Sequence, residues 1–245
     1  MLNFILIAIS VILLTIGLVW VIDKYVPSKI KPLLNILLWG LIIFLGYQTY
    51  KSIYTPIQFN KEKNKRYAEV IKKLIDIRDA ELAYKQVNGK FTGSFDDLIK
   101  FIDTAKFTLT QRRDSSVLNP QLTRQYGVDM YDDIVVIDTL GFVPVKDSLF
   151  KKSDRYKTMM NVPVGEPGKK FELKANFLNQ NNINIPVFEA SVKKDIILFD
   201  QDPDLLVQEN QVISVDGVNG DALKVGSLEE VKTNGNWPKN YGDNE

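Results

Sequence analysis

Two long runs without a charged side chain dominate the N-terminal part of this chain. The first covers residues 1–22 and the second covers residues 32–50. At about 1.5 Å of rise per residue, a helix over the first run is about 33 Å long, enough to cross the hydrocarbon core of a bilayer. A buried helix of a soluble protein would carry a polar stripe, which neither run has. The two runs therefore predict two membrane-spanning helices.

The short segment between the runs, residues 23–31, allows only a tight turn. Residues 1–54 are thus predicted to form a transmembrane helical hairpin, and Pro32 suits the first turn of its second helix. A cleaved signal peptide is the alternative for the first run, but a basic stretch before it and a small-residue cleavage motif are both lacking. Asn35 lies within the second run, where an amide seeks a hydrogen-bonding partner, so it is a candidate partner-binding residue.

Charge leaves the orientation of the hairpin open. The turn carries Lys24, Lys29 and Lys31, which argues that it faces the cytoplasm. Further basic residues follow the second run, at Lys51 and between residues 61 and 66, and these argue for the opposite orientation.

Composition excludes several classes of function. The 245 residues include 31 Lys+Arg, 30 Asp+Glu, no His and no Cys. The balanced charge argues against a nucleic-acid partner, which would demand a basic excess. Without Cys there are no thiol nucleophiles, disulfides or thiolate metal sites, and without His the usual general base and the commonest transition-metal ligand are missing. We therefore expect a non-enzymatic protein without a cofactor or metal.

Residues 55–104 are predicted to be a helical segment. Pro56 predicts a kink or a break after the second membrane run, and a long amphipathic helix then extends to Asn88. Ser94 is a good N-cap for a short second helix. The apolar stripe of the long helix consists of Tyr67, Val70, Ile71, Leu74, Ile77 and Tyr84.

The two halves of this stripe are predicted to differ. From Leu74 onward it should pack on the domain's own sheet. Its start should be less covered, because the sheet begins too late in the sequence to reach back. Tyr67, Val70 and Ile71 are therefore a candidate surface for a partner helix.

Residues 105–245 are predicted to form a mainly antiparallel β domain with an irregular tail, which makes the fold class α+β. The predicted strands cover residues 134–140, 141–145, 170–175, 186–192, 196–199, 212–215 and 222–225. A basic cluster of Lys106, Arg112, Arg113 and Arg124 precedes them, and we expect it to pair with Asp129, Asp132 and Asp133.

Three carboxylates alternate over Asp200, Asp202 and Asp204, as in a calcium loop. The Gly that such a loop requires is absent, since Leu205 follows. An acidic turn is the preferred interpretation, and an ion site remains open.

One stretch resembles type IV pilins and type II secretion pseudopilins. It comprises residues 77–84 (IRDAELAY), 88–91 (NGKF) and 94–98 (SFDDL). In those proteins a membrane helix continues into a soluble helix, and a turn and a short helix then lead to a sheet. Pilins have one membrane helix and a prepilin leader, whereas this sequence predicts two helices and no leader, which argues against assembly into a pilus filament. The whole chain is also similar to a two-helix inner-membrane family of Bacteroidota.

Both resemblances imply a periplasmic C-terminal domain. We expect an inner-membrane-anchored periplasmic interaction module, a structural component of a secretion, pilus-like or motor assembly. Its partners would be the bilayer and other integral membrane and periplasmic proteins. The alternatives are an enzyme that acts on envelope polymers through paired carboxylates, and a cytosol-facing membrane adaptor.

Overall fold

The computed structural model describes residues 2–25, 27, 30–151 and 153–241. Within it the chain divides into two compact units, residues 1–58 and residues 59–245. Helix and antiparallel sheet are both present, as the sequence predicts. Lys29, part of the predicted basic turn, lies outside the described residues.

The first unit contains helix α1 (Leu2–Tyr25) and the start of helix α2 (Lys31–Asn88). In the described part of the chain, α2 alone is long and apolar enough to cross a membrane, and its apolar window is entirely unburied. A shorter apolar stretch, Ile9–Ile22, lies in α1. Of the kink or break predicted at Pro56, the break is wrong, because α2 passes through this residue. Proline removes one backbone hydrogen bond, and a helix of 58 residues retains the hydrogen bonds of the turns on both sides.

The second unit begins with the C-terminal part of α2 and alternates short helices with strands. Its elements are α3 (Phe95–Thr104), β1 (Lys106–Leu118), α4 (Pro120–Tyr126), β2 (Tyr131–Pro144), α5 (Val145–Phe150), β3 (Glu172–Gln180), β4 (Ile183–Lys193), α6 (Lys194–Ile197), α7 (Pro203–Asn210) and β5 (Ala222–Gly226). The predicted N-cap is confirmed, since the Ser94 hydroxyl accepts a hydrogen bond from the Asp97 backbone N–H at 3.3 Å.

Two separate antiparallel sheets form. One has three strands in the order β3-β4-β5, and the other has only β1 and β2. The strand predicted at residues 196–199 is wrong because the first half of this apolar run lies in α6, where Ile197 is fully buried, and the second half lies in a turn. The strand predicted at residues 212–215 is also wrong. Ile213 and Val215 have no strand neighbour there and are more than nine-tenths exposed.

The core lies between one face of α2, helix α3 and the three-stranded sheet. The α2 stripe contributes Leu74 and Ile77, both fully buried, as predicted. Phe188 of β4 packs against Phe91, with ring centroids 4.7 Å apart. Gly226 ends β5 with a φ of +77°, and a side chain there would collide with the Phe188 carbonyl. This core leaves the two-stranded sheet uncovered.

Candidate functional site

The two-stranded sheet of β1 and β2, called the ribbon from here on, is the candidate site. Its register extends from Lys106 opposite Pro144 to Leu118 opposite Tyr131, with one irregularity between Leu109 and Thr110. Neither outer edge has a further strand among the described residues. Each edge therefore presents backbone N–H and C=O groups that no strand pairs.

Both faces of the ribbon are exposed along most of its length. In the outer part, from Thr110 to Leu118 on β1, every residue except Ser115 is exposed. The facing part of β2 contains the apolar run Ile134–Ile137, in which Ile137 remains 66% exposed. A continuous apolar run is typical of a strand that is buried on both faces. Strand β2 thus has the sequence of a buried strand, although it lies in an exposed position.

The far end of the ribbon is closed by α4. Asn119 caps this helix, because its side-chain oxygen accepts hydrogen bonds from the backbone N–H groups of Gln121 and Leu122. Tyr126 and Val128 are about 60% exposed there. The far end of the ribbon is therefore a capped helical turn whose surface is apolar.

The charges on the two strands are mostly of opposite sign, with Asp114 of β1 the exception. Strand β1 holds most of the predicted basic cluster, and β2 carries only acids. The predicted pairing of that cluster is wrong, because Arg113 binds Asp138 at 2.9 Å and not Asp129, Asp132 or Asp133. Antiparallel pairing decides this outcome, since it brings Arg113 opposite Val136, diagonally next to Asp138. Within the described residues, Arg112 and Asp133 form no ion pair.

The predicted partner surface on α2 is buried inside the second unit. The side chains of Tyr67, Val70 and Ile71 are fully buried, so the expectation that they are less covered is wrong. The sheet does not need to reach them, because α7 and the C-terminal segment return to this part of α2. Glu209 of α7 accepts a hydrogen bond from the Tyr67 hydroxyl at 3.2 Å, and Tyr241 packs on the Tyr67 ring. These three residues belong to the core.

The fourth predicted residue, Asn35, lies in the first unit. Asn35 is exposed and lines a groove together with Trp20, Lys31, Leu34 and Leu38. Tyr67, Val70 and Ile71 belong to the second unit, so the four predicted residues are divided between the two units.

A buried polar network joins α2 to α6 and α7. The Lys194 ammonium, fully buried, donates to the backbone carbonyls of Glu209 and Val218 at 2.6 and 2.8 Å. The Glu209 carboxylate, 3.3 Å from Lys194 Nζ, also binds Lys63 Nζ at 2.8 Å. Burial lowers the pKa of Lys194, whereas burial and the Glu209 charge raise the pKa of Tyr67. Each group is bound by another group of the chain, so the network is suited to fastening α7 onto α2.

The Asp200–Asp204 turn is engaged in contacts within the chain. Arg66 binds both carboxylate oxygens of Asp200, and this contact lowers the pKa of Asp200 to about 2. Asp202 caps α7 by accepting from the backbone N–H groups of Asp204 and Leu205. Among the described residues, no group of three or more carboxylates is arranged to hold a metal. The acidic-turn interpretation accounts for this segment.

The local sequence pattern does not predict β1, which supplies half of the ribbon. Residues 110–116 are polar without a break, so they show none of the alternation that identifies a half-buried strand. The one available signal was indirect: a long β-rich run at residues 131–144 needs a neighbouring strand.

Comparisons with known proteins return no relative for this chain. No protein-family model, no curated protein and no solved structure matches it.

Proposed function

We propose that this protein is a non-enzymatic, membrane-anchored interaction module of an envelope assembly and that the ribbon is its binding surface. The observation that carries the proposal is a two-stranded sheet whose faces and edges are exposed. A two-stranded hairpin is marginally stable in water by itself, and exposed apolar patches mark interaction sites. A partner that covers the ribbon removes both penalties.

The anchor in this proposal is the N-terminal hairpin of residues 1–54, with the C-terminal domain in the periplasm of an inner membrane. The apolar runs, the lysines of the turn and the pilin-like stretch support it. Protease added to spheroplasts should then cleave the exposed ribbon. Protection of the whole C-terminal domain in intact spheroplasts, with cleavage only after lysis, would contradict this orientation and favour the cytosol-facing adaptor.

The enzymatic alternative gains no comparable support. Among the residues that the structure describes, the buried carboxylates are those of Glu209 and Glu81. Glu209 is bound by Lys63, Lys194 and Tyr67, and Glu81 is held by the Thr92 backbone N–H. Paired catalytic carboxylates instead flank a site that admits substrate.

The decisive experiment removes the outer ribbon and leaves its base. In the full chain, residues 111–138 are replaced by Asn-Gly, a turn that suits closure of a hairpin between Thr110 and Thr139. Proteins that co-purify with the full chain from solubilised membranes should be lost, while the melting temperature stays within about 2 °C, because the ribbon adds little to the core.

A matched control shortens the other long hairpin. Strands β3 and β4 lose the pairs Asn179–Asn184 and Gln180–Ile183 and keep the turn residues Asn181 and Asn182. This variant should retain every co-purifying protein. Equal retention by the ribbon-trimmed chain would refute the ribbon as the binding surface.

A further inference from the structure

The charges of the ribbon identify what can cover its edges. Arg112 and Arg113 are neighbours on β1, and Asp132 and Asp133 are neighbours on β2. Within one chain the two dipeptides do not meet, because Arg112 lies opposite Ile137 and Arg113 lies opposite Val136. Within one chain Arg113 binds Asp138 and Asp132 accepts a hydrogen bond from the Asn119 side chain. Arg112 and Asp133 form no ion pair among the described residues, so one charge on each strand is left for a partner.

Resting on the proposed function, we infer that the ribbon binds a second copy of this chain, with the outer edge of β2 pairing antiparallel to the outer edge of β1 of the next copy. One register opposes Asp133 to Arg112 of the neighbour and, at the same time, Asp132 to Arg113. Relative to the register within the chain, where Ile137 faces Arg112, this is a shift of four residues along β2, or about 14 Å.

The shift fits the geometry of a sheet. Side chains alternate between faces with a period of two, so an even shift keeps Arg112 and Asp133 on the same face of the extended sheet. An even shift also aligns the outward-pointing N–H and C=O groups of the two edges. Nine residues of each strand then pair, Tyr131–Thr139 of one copy with Lys106–Asp114 of the next, and no two like charges stand directly opposite.

The same register covers the apolar run of β2. Ile134, Val135 and Ile137 face Gln111, Thr110 and Thr108 of the neighbour, and Val136 faces Leu109. If β2 paired with β2 of another copy, its acidic residues would face either other acidic residues or uncharged residues, and none would gain a basic partner. Pairing of β1 with β1 can oppose Arg112 to Asp114, but it leaves the edge of β2 open. The head-to-tail arrangement satisfies both edges at once and builds rings or longer arrays.

The absence of cysteine from this chain makes cross-linking a clean test. In the full chain in nanodiscs, Leu109→Cys combined with Val136→Cys should give a ladder of disulfide-linked oligomers. The two positions are about four residues apart along the ribbon of one chain, too far for an internal disulfide. Leu109→Cys with Ile137→Cys is the matched control, because these side chains lie on opposite faces in the proposed register.

Charge reversal tests the register independently. Arg112→Asp alone and Asp133→Arg alone should each weaken association roughly tenfold, because attraction becomes repulsion across a directly opposed pair. A mixture of the two variants should restore the ladder, and so should both substitutions in one chain. Asp129→Arg, outside the paired stretch, should have no effect.

Other outcomes overturn the inference in different ways. Monomers at every concentration, or equal cross-linking of the control pair, exclude the head-to-tail edge. Loss of the ladder with Arg112→Asp but not with Asp133→Arg indicates β1–β1 pairing. A monomeric chain whose ribbon still captures another protein, or lipid vesicles through its far end, excludes self-pairing. Capture of another protein would leave the proposed function standing.

Discussion

Replacement of the buried Glu81 by Gln should remove most of the pH dependence of the free energy of unfolding. Glu81 lies on α2 and is fully buried. One carboxylate oxygen accepts a hydrogen bond from the Thr92 backbone N–H at 3.0 Å, and the other has no hydrogen-bond partner among the described residues. Burial raises the pKa of Glu81 from 4.5 to about 8, and the Thr92 contact opposes this only in part.

The sign follows from proton binding in the two states. Between pH 4.5 and about pH 8 the folded chain holds the Glu81 proton and the unfolded chain has lost it. The free energy of unfolding then falls by about 1.4 kcal/mol per pH unit as the pH rises. Over the whole interval the loss is of order 5 kcal/mol. Gln has the same shape and does not titrate, so it avoids this loss.

The assay is urea unfolding of the full chain in detergent at pH 5 and at pH 8, followed by circular dichroism. Glu81→Gln should change stability by less than about 1 kcal/mol at pH 5 and increase it by about 4 kcal/mol at pH 8. Glu229→Gln, at an exposed position, is the control and should show no such difference. If the advantage of Glu81→Gln grew by less than about 1 kcal/mol between the two pH values, the carboxyl would not be protonated as argued.

The remaining predictions concern the buried surface of α2. Glu209→Gln should lower the free energy of unfolding by about 3–5 kcal/mol, because it leaves the Lys194 ammonium buried without its counter-charge. Urea unfolding measures this, and an effect below 1 kcal/mol would refute the fastening role. Leu74→Ala and Tyr67→Ala should each cost about 2–5 kcal/mol, since both side chains are fully buried. If Tyr67→Ala left the free energy of unfolding unchanged, this part of α2 would again be a candidate partner surface.

Local chemistry accounts for what could be predicted before folding. The uncharged runs, the helical spacing of Leu74 and Ile77 and the Ser94 cap each depend on residues a few positions apart. The helix and most of the later strands therefore followed from pattern. The predicted strand at residues 196–199 failed because a four-residue apolar run fits a buried helical turn as well as a strand.

Contacts between distant segments decided the rest. The burial of Tyr67 depends on Glu209 and Tyr241, which lie more than 140 residues later in the chain. The sequence pattern near Tyr67 does not indicate that these residues pack against it. The polar strand β1 has no pattern of its own and becomes a strand because β2 pairs with it. The sequence by itself determined the apolar runs and the amphipathic helix, because hydrophobic periodicity is local. Only the tertiary structure decided which apolar surface is covered and which, on the ribbon, is left for a partner.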